Sequence, residues 1–271
     1  MKECAKMIKQ KLLKFMSVFF TLIFFFSLTP NYITYAETQD KTLITEVPSE
    51  NEKIIVDFAL SIGNNCAGAH YLRENNLRFQ SSPWDWMFDY SLKTVNHLFK
   101  TEFKDFFKQI RVNNKKEHKG RIYVYDTKNH IESHNHYMKN VPFNQERKRV
   151  DNIMRKRAEN TIETIKKSKS IALISRRNSS DKEFIQFIKE FSKIYPNKKI
   201  YLINVKNGKS ETPEKRIIYN KDNLKVIEYK FINEGKKYPQ WYGNPKGWAQ
   251  VMKTIQLNEK HKRLLAKKFH D

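Results

Sequence analysis

The sequence predicts an α/β fold: a single three-layer domain around a central, mostly parallel sheet of about five strands. Three observations predict it. Apolar runs rich in β-branched residues recur at 53–62 (KIIVDFALSI), 171–175 (IALIS), 198–205 (KKIYLINV) and 223–232 (NLKVIEYKFI). Such near-continuous runs mark strands buried on both faces. An amphipathic helix pattern, SDKEFIQFIKEFSKIY, separates the second and third runs, and another, GWAQVMKTIQL, follows the last. Strand, helix, strand, then strand and helix again is the alternation that builds a sheet covered on both sides.

Taken in order, residues 1–14 are basic, with Lys2, Lys6, Lys9, Lys11 and Lys14 against Glu3. The uncharged run FMSVFFTLIFFFSL, residues 15–28, and a polar exit ending at Ala36 follow. Residues 1–36 therefore read as a secretory signal peptide or a retained N-terminal membrane anchor, because the run is shorter than the roughly 20 residues of a membrane span. Either segment exports the domain, to the periplasm or beyond the cell. Residues 37–52 read as a linker and 53–258 as the α/β domain, leaving 259–271 as a basic C-terminal tail.

Within the domain, GNN at 63–65 breaks the first strand, and residues 66–76 read as a short helix. LRFQSSPWDWMF is a loop that returns to the core through its aromatics, with Pro83 keeping its predecessor out of helix. Residues 91–109 place Leu92, Val95, Leu98, Phe99, Phe103, Phe106 and Phe107 at helical spacing. Residues 121–137 read as a hairpin or two short strands, and about 146–168 as a long helix. Ser180 followed by Glu183 is a capping box for the helix at 180–195. KNGKSETPEKR and YPQWYGNPKG read as loops.

Composition narrows the function. The chain holds 52 Lys and Arg against 29 Asp and Glu, a formal net charge of +23. That charge draws the domain toward anionic partners, such as an anionic glycan, an acidic peptide or a membrane surface. The basic residues are scattered, so a dedicated nucleic-acid function is not expected. The two cysteines are Cys4 and Cys66. If residues 1–36 are removed, Cys66 stands alone, which excludes a disulfide scaffold and leaves a buried, a bridged or a reactive thiol.

Ligand sites in α/β sheets lie beyond the C-terminal ends of the strands. VDFALSIGNNC puts Cys66 there, at the first turn of a helix whose dipole and N–H groups favour a thiolate. Asn64 and Asn65 are candidates to cap that helix or to donate to a substrate oxyanion. The base is sought among His134 and His136, which share one side of a regular strand. His70 lies one turn along the Cys66 helix. Asp85 and Asn244 are candidates to orient the histidine, with Asp89 and Asn135 behind them. Zinc on Cys66, His134 and His136 is the minor alternative; no cofactor is expected. Arg73, Arg78, Arg176 and Arg177 stand out, the last two at the end of the IALIS strand, as candidate forks for an acidic substrate group or as partners of Asp85 that fix the PWDW loop, and Trp241 is a candidate wall of a sugar or peptide groove.

The run LSIGNNCAGAHYLRENNLRFQSSPWDWMF resembles the opening motif of a bacterial family of papain-like cysteine peptidases, the DUF1796 type. The matching residues are Leu60, Gly63, Cys66, Leu77, Arg78, Ser81 or Ser82, Pro83, Asp85 and Trp86, with Trp84 where the family has Phe. The SHNHY segment resembles its later histidine motif, through His134 with Asn135 or His136 with Tyr137. The resemblance implies a cysteine hydrolase with Cys66 as nucleophile. It also raises a papain-like α+β domain as the alternative fold, with the cysteine on a long helix and the histidine on an antiparallel sheet. An acyl- or glycosyl-type transferase acting on surface polysaccharide shares the same site, and a non-catalytic basic surface-binding domain is the third possibility.

Overall fold

The computed structural model describes residues 53–260 and 263. The expected signal or anchor segment, the linker and nearly all of the basic tail lie outside the described residues. Among the described residues no helix is long and apolar enough to cross a membrane.

The central sheet has five strands in the order β2 (Phe58–Ser61), β7 (Ser170–Arg176), β8 (Lys199–Asn207), β10 (Leu224–Phe231) and β9 (Glu214–Lys221). The first four run parallel, and β9 closes the edge antiparallel to β10. Period-two alternation divides the core. Leu60, Leu173, Leu202 and Val226 face one layer, and Ala59, Ala172, Ile203 and Ile227 face the other. The first layer holds α2 (Leu92–Lys100), α3 (Phe143–Lys167) and α4 (Asp181–Ile194), with Phe99 and Phe191 in edge contact at 5.0 Å. The second holds α1 (Ala67–Glu74) and α5 (Pro245–Lys253), where Tyr71 stacks on Trp248 at 4.8 Å.

The 53–62 run is divided at Asp57. Its carboxylate accepts the N–H groups of Lys169 (2.5 Å) and Ser170 (3.1 Å). This turns β1 (Ile54–Val56) away to pair with β11 (Ile255–Leu257). The capping box forms as expected, with Glu183 N–H on Ser180 Oγ and Ser180 N–H on Glu183 Oε2.

The structure departs from expectation in three places. The helix expected over 91–109 stops at Lys100, and Phe103 and Phe107 take positive φ (60° and 55°) in the turns that follow. Their rings are buried, so the helical spacing of those phenylalanines records burial without helix. A four-stranded antiparallel sheet, β3 (Met87–Phe88), β6 (Ile131–Met138), β5 (Arg121–Asp126) and β4 (Ile110–His118), replaces the expected hairpin. Its β4–β5 turn is Lys119–Gly120, both with positive φ (49° and 73°), the type I′ geometry that matches strand twist. The third is β9, whose first three residues fall in the stretch read as loop and whose remainder carries no expected element.

Close packing at one glycine gives a stability prediction. A Cβ on Gly247 would lie 2.4 Å from the buried Phe231 ring. Gly247→Ala is expected to cost about 1–3 kcal/mol, read as a lower urea midpoint with unchanged m-value.

Candidate functional site

The candidate site forms where the β2–α1 turn meets the antiparallel sheet. Ile62 N–H continues the ladder to Ile174 O (2.7 Å). Gly63 then passes close to β7, where a Cβ would sit 3.3 Å from Arg176 N. Asn65 Oδ1 accepts Ala67 N–H (3.0 Å) and so opens α1, with Cys66 at the N-cap position.

The PWDW loop is stapled to this turn. Trp84 Nε1–H donates to Ser61 O (2.7 Å) from the core, where its ring meets Phe99 and Phe103. Asp89 N–H donates to Asn64 O (3.3 Å). The buried Arg177 guanidinium donates to Ile62 O (2.8 Å) and to Tyr90 O, joining the two halves of the motif. Asp85 Oδ2 accepts Arg78 Nε (3.0 Å), Arg78 Nη2 (2.6 Å) and Ser82 N–H (2.9 Å). Burial raises the Asp85 carboxyl against the lowering pull of Arg78 and the Ser82 N–H.

His134 Nε2 lies 3.9 Å from Cys66 Sγ. A bulge in β6 sets this up. Ser133 pairs with Val124 and Tyr137 with Ile122, so residues 134–136 all stand opposite Tyr123. The two histidines therefore meet different neighbours, contrary to the regular-strand expectation. His134 is held among the rings of Phe88 (4.9 Å), His118 (5.8 Å) and Tyr123 (5.9 Å). His136 Nδ1 meets Ser133 Oγ (2.8 Å), and its Nε2 meets Arg157 Nη1 (3.4 Å).

The electrostatics oppose a resting ion pair. Burial pushes the Cys66 thiol up to about 12, and the Asp85 charge adds to the rise. Burial holds His134 down at about 4, with His118 contributing. The helix N-terminus expected to stabilise a thiolate is outweighed, since Cys66 is only 9% exposed. The pair is a thiol beside a neutral imidazole.

The other expected residues fall as follows. Asn244 is not an orienting group: its Oδ1 caps α5 at Gly247 N–H and its Nδ2 binds Ile232 O. Arg78 is committed to Asp85 and Ser81. Arg176 binds Trp241 O (2.9 Å), near Glu234 (3.8 Å). Trp241 is 53% exposed and packs on His70 and Tyr242. Among the described residues nothing hydrogen-bonds to His134 Nδ1, which is buried. Among the described residues no group of three or more His, Cys, Asp or Glu is disposed to hold a metal ion, so the Cys66–His134–His136 trio is not assembled as one.

At the C-terminal ends of β7 and β8 a polar pocket of about 290 Å3 opens beside the cysteine turn. Asn64, Asn65, Arg176, Arg177, Lys206 and Glu234 are among its walls. It brings together three of the expected binding residues, Asn64, Asn65 and Arg176. Arg177, expected with Arg176 either to bind an acidic group or to fix the PWDW loop through Asp85, fixes the loop through the backbone at Tyr90 and Ile62, while Arg78 takes Asp85.

One family model, described as "Putative papain-like cysteine peptidase (DUF1796)", matches residues 57–203. Comparison with curated proteins and with solved structures finds no match.

Proposed function

The chain belongs to the DUF1796 family, and from that premise we propose that it is a cysteine-dependent hydrolase in which Cys66 is the nucleophile and His134 the general base. The observation that carries this reading is the 3.9 Å approach of His134 Nε2 to Cys66 Sγ across two separate elements. His136 is set aside as base, because its two ring nitrogens are occupied by Ser133 and Arg157.

The neutral resting pair dictates the order of events. The proton leaves Sγ for His134 Nε2 as sulfur attacks the substrate's carbonyl carbon. The S–C bond forms, and the bond to the leaving group breaks as His134 returns the proton to it. Water then adds to the thioester as His134 takes its proton; the S–C bond breaks, the carboxylic acid leaves, and His134 returns the proton to Sγ. His134 is positioned for this by the rings around it and not by a carboxylate.

The polar pocket beside Asn64 and Asn65 supports a second reading at the same cysteine, transfer of the acyl group to a small polar or acidic acceptor. We place either activity outside the cytoplasm, on the strength of residues 1–36.

The test is mass spectrometry of the protein after incubation with a panel of activated esters and amides at pH 7–8. In the Cys4→Ser chain one thioester-linked acyl group is expected on Cys66, and no thioester is expected when Cys66→Ala is added. Absence of any Cys66 adduct across the panel leaves the non-catalytic, surface-binding reading in its place.

A further inference from the structure

Next along β6 from His134, a pocket of about 160 Å3 opens between β5, β6 and α3. Arg121 of β5 and Arg149 and Arg157 of α3 line it, with Asn135 and His136 of the β6 bulge. Arg149 is neutralised by Glu146, which accepts its Nε (2.9 Å) and Nη2 (2.7 Å). Arg149 also donates to His136 O (2.6 Å).

The other two guanidiniums are different. Among the described residues neither has a carboxylate within ion-pair distance. Arg121 donates to Lys119 O at 3.4 Å, and Arg157 approaches His136 Nε2 at 3.4 Å. Asp85, whose charge Arg157 feels, is already tied to Arg78. A guanidinium carries five N–H donors, so most of those on Arg121 and Arg157 are left for something else.

His136 completes the pocket as a neutral group. Arg157 can only donate, so His136 Nε2 must accept and its proton sits on Nδ1, facing Ser133 Oγ. The pocket therefore holds two guanidiniums, drawn from two different elements, that lack an ion-pair partner of their own; Asp85 and Glu146 act on them only from beyond contact, and Arg157 is partly desolvated. Charge in such a place is costly until it is paired.

From this geometry we infer that the pocket binds a doubly charged tetrahedral oxyanion, the phosphate group of a phosphomonoester. A phosphomonoester carries about −1.5 to −2 at pH 7 and three strong acceptor oxygens. That matches two free guanidiniums in both charge and donor geometry better than a single carboxylate does. Asn135 of this pocket directly follows His134 in the chain, and on that adjacency we assign the anion to the substrate that the thiol attacks. That last step rests on the Cys66 proposal; the pocket itself does not.

The test is calorimetric titration of the full chain carrying Cys66→Ala, so that binding is read without thiol chemistry. Inorganic phosphate, phenyl phosphate and acetate are the probes, at low ionic strength. One phosphate per chain is expected, bound at least tenfold tighter than acetate, with phenyl phosphate at least as tight. Arg121→Gln, on a half-buried side chain, should weaken phosphate at least tenfold. Lys104→Gln, in the separate 580 Å3 pocket by α3, should not. Phosphate binding no tighter than acetate, or equal loss in the two variants, overturns the site. Binding of phosphate with exclusion of phenyl phosphate overturns its assignment to a substrate group. Failure of the thiol proposal leaves all of these readouts unchanged.

Discussion

Alkylation of Cys66 by iodoacetamide is expected to be slow at pH 7, on the order of a thousandfold slower than for free cysteine, and to accelerate about tenfold per pH unit through pH 10. The measurement uses the chain with Cys4→Ser, in which Cys66 is the sole thiol. The reason is the thiolate fraction: burial and the Asp85 charge raise the thiol to about 12, against roughly 8.5 for a free cysteine. The sign follows directly. A raised thiol pKa means less thiolate at every pH below it, so the rate climbs across the whole accessible range with no plateau. His134, held at about 4, stays neutral above pH 5 and offers no imidazolium to stabilise a thiolate. A rate that levels off below pH 8 contradicts this and points to a preformed thiolate–imidazolium pair. Slow alkylation is compatible with catalysis, because a bound carbonyl is attacked as the proton moves to His134, without free thiolate.

Asp85→Asn is expected to lower stability by about 3 kcal/mol and at the same time to raise the alkylation rate of Cys66. The two effects have separate causes. Asp85 is buried and accepts both Arg78 donors on Oδ2, so losing its charge leaves the half-buried guanidinium without its counter-ion. Asp85 also pushes the Cys66 thiol upward, and that push disappears in the variant. Urea unfolding reads the first effect and the pH dependence of alkylation the second. Gly247→Ala supplies the control, since it lowers stability at the Phe231 contact while leaving Asp85 and Arg78 in place. Equal acceleration in both variants would assign the effect to general loosening and contradict the electrostatic role of Asp85.

The central sheet was legible because its strands are buried on both faces and read as unbroken apolar runs. Edge strands lack that constraint. β4, with the sequence IRVNNKKEH, and β9, with EKRIIYNK, carry polar residues on the exposed side and on much of the other, so neither shows clean alternation. The end of α2 was hidden because Phe103, Phe106 and Phe107 are buried by turns and not by a helix.

The site divided in the same way. Cys66 and its turn were readable from the strand–turn–helix pattern. The papain-like alternative anticipated a histidine on an antiparallel sheet, where His134 does lie, but the cysteine opens an eight-residue helix after a parallel strand. Which histidine meets the thiol depends on a bulge, and no residue type announces a bulge here. Asn244 read as a catalytic amide but precedes Pro245 at a helix start, a position in which an N-cap role was equally written. The arginine pocket joins residues 121, 136 and 157, a grouping that only tertiary pairing of β5, β6 and α3 creates.

The most direct measurement of the central claim is the burst of leaving-group release from an activated ester that acylates Cys66, compared between His134→Ala and His136→Gln. The Cys66–His134 pair predicts that His134→Ala slows the burst at least a hundredfold, the scale of general-base assistance. His136→Gln should keep it within a few-fold of the parent chain. A burst that survives His134→Ala, or one lost with His136→Gln while the protein stays folded, would contradict the assignment of His134 as the base.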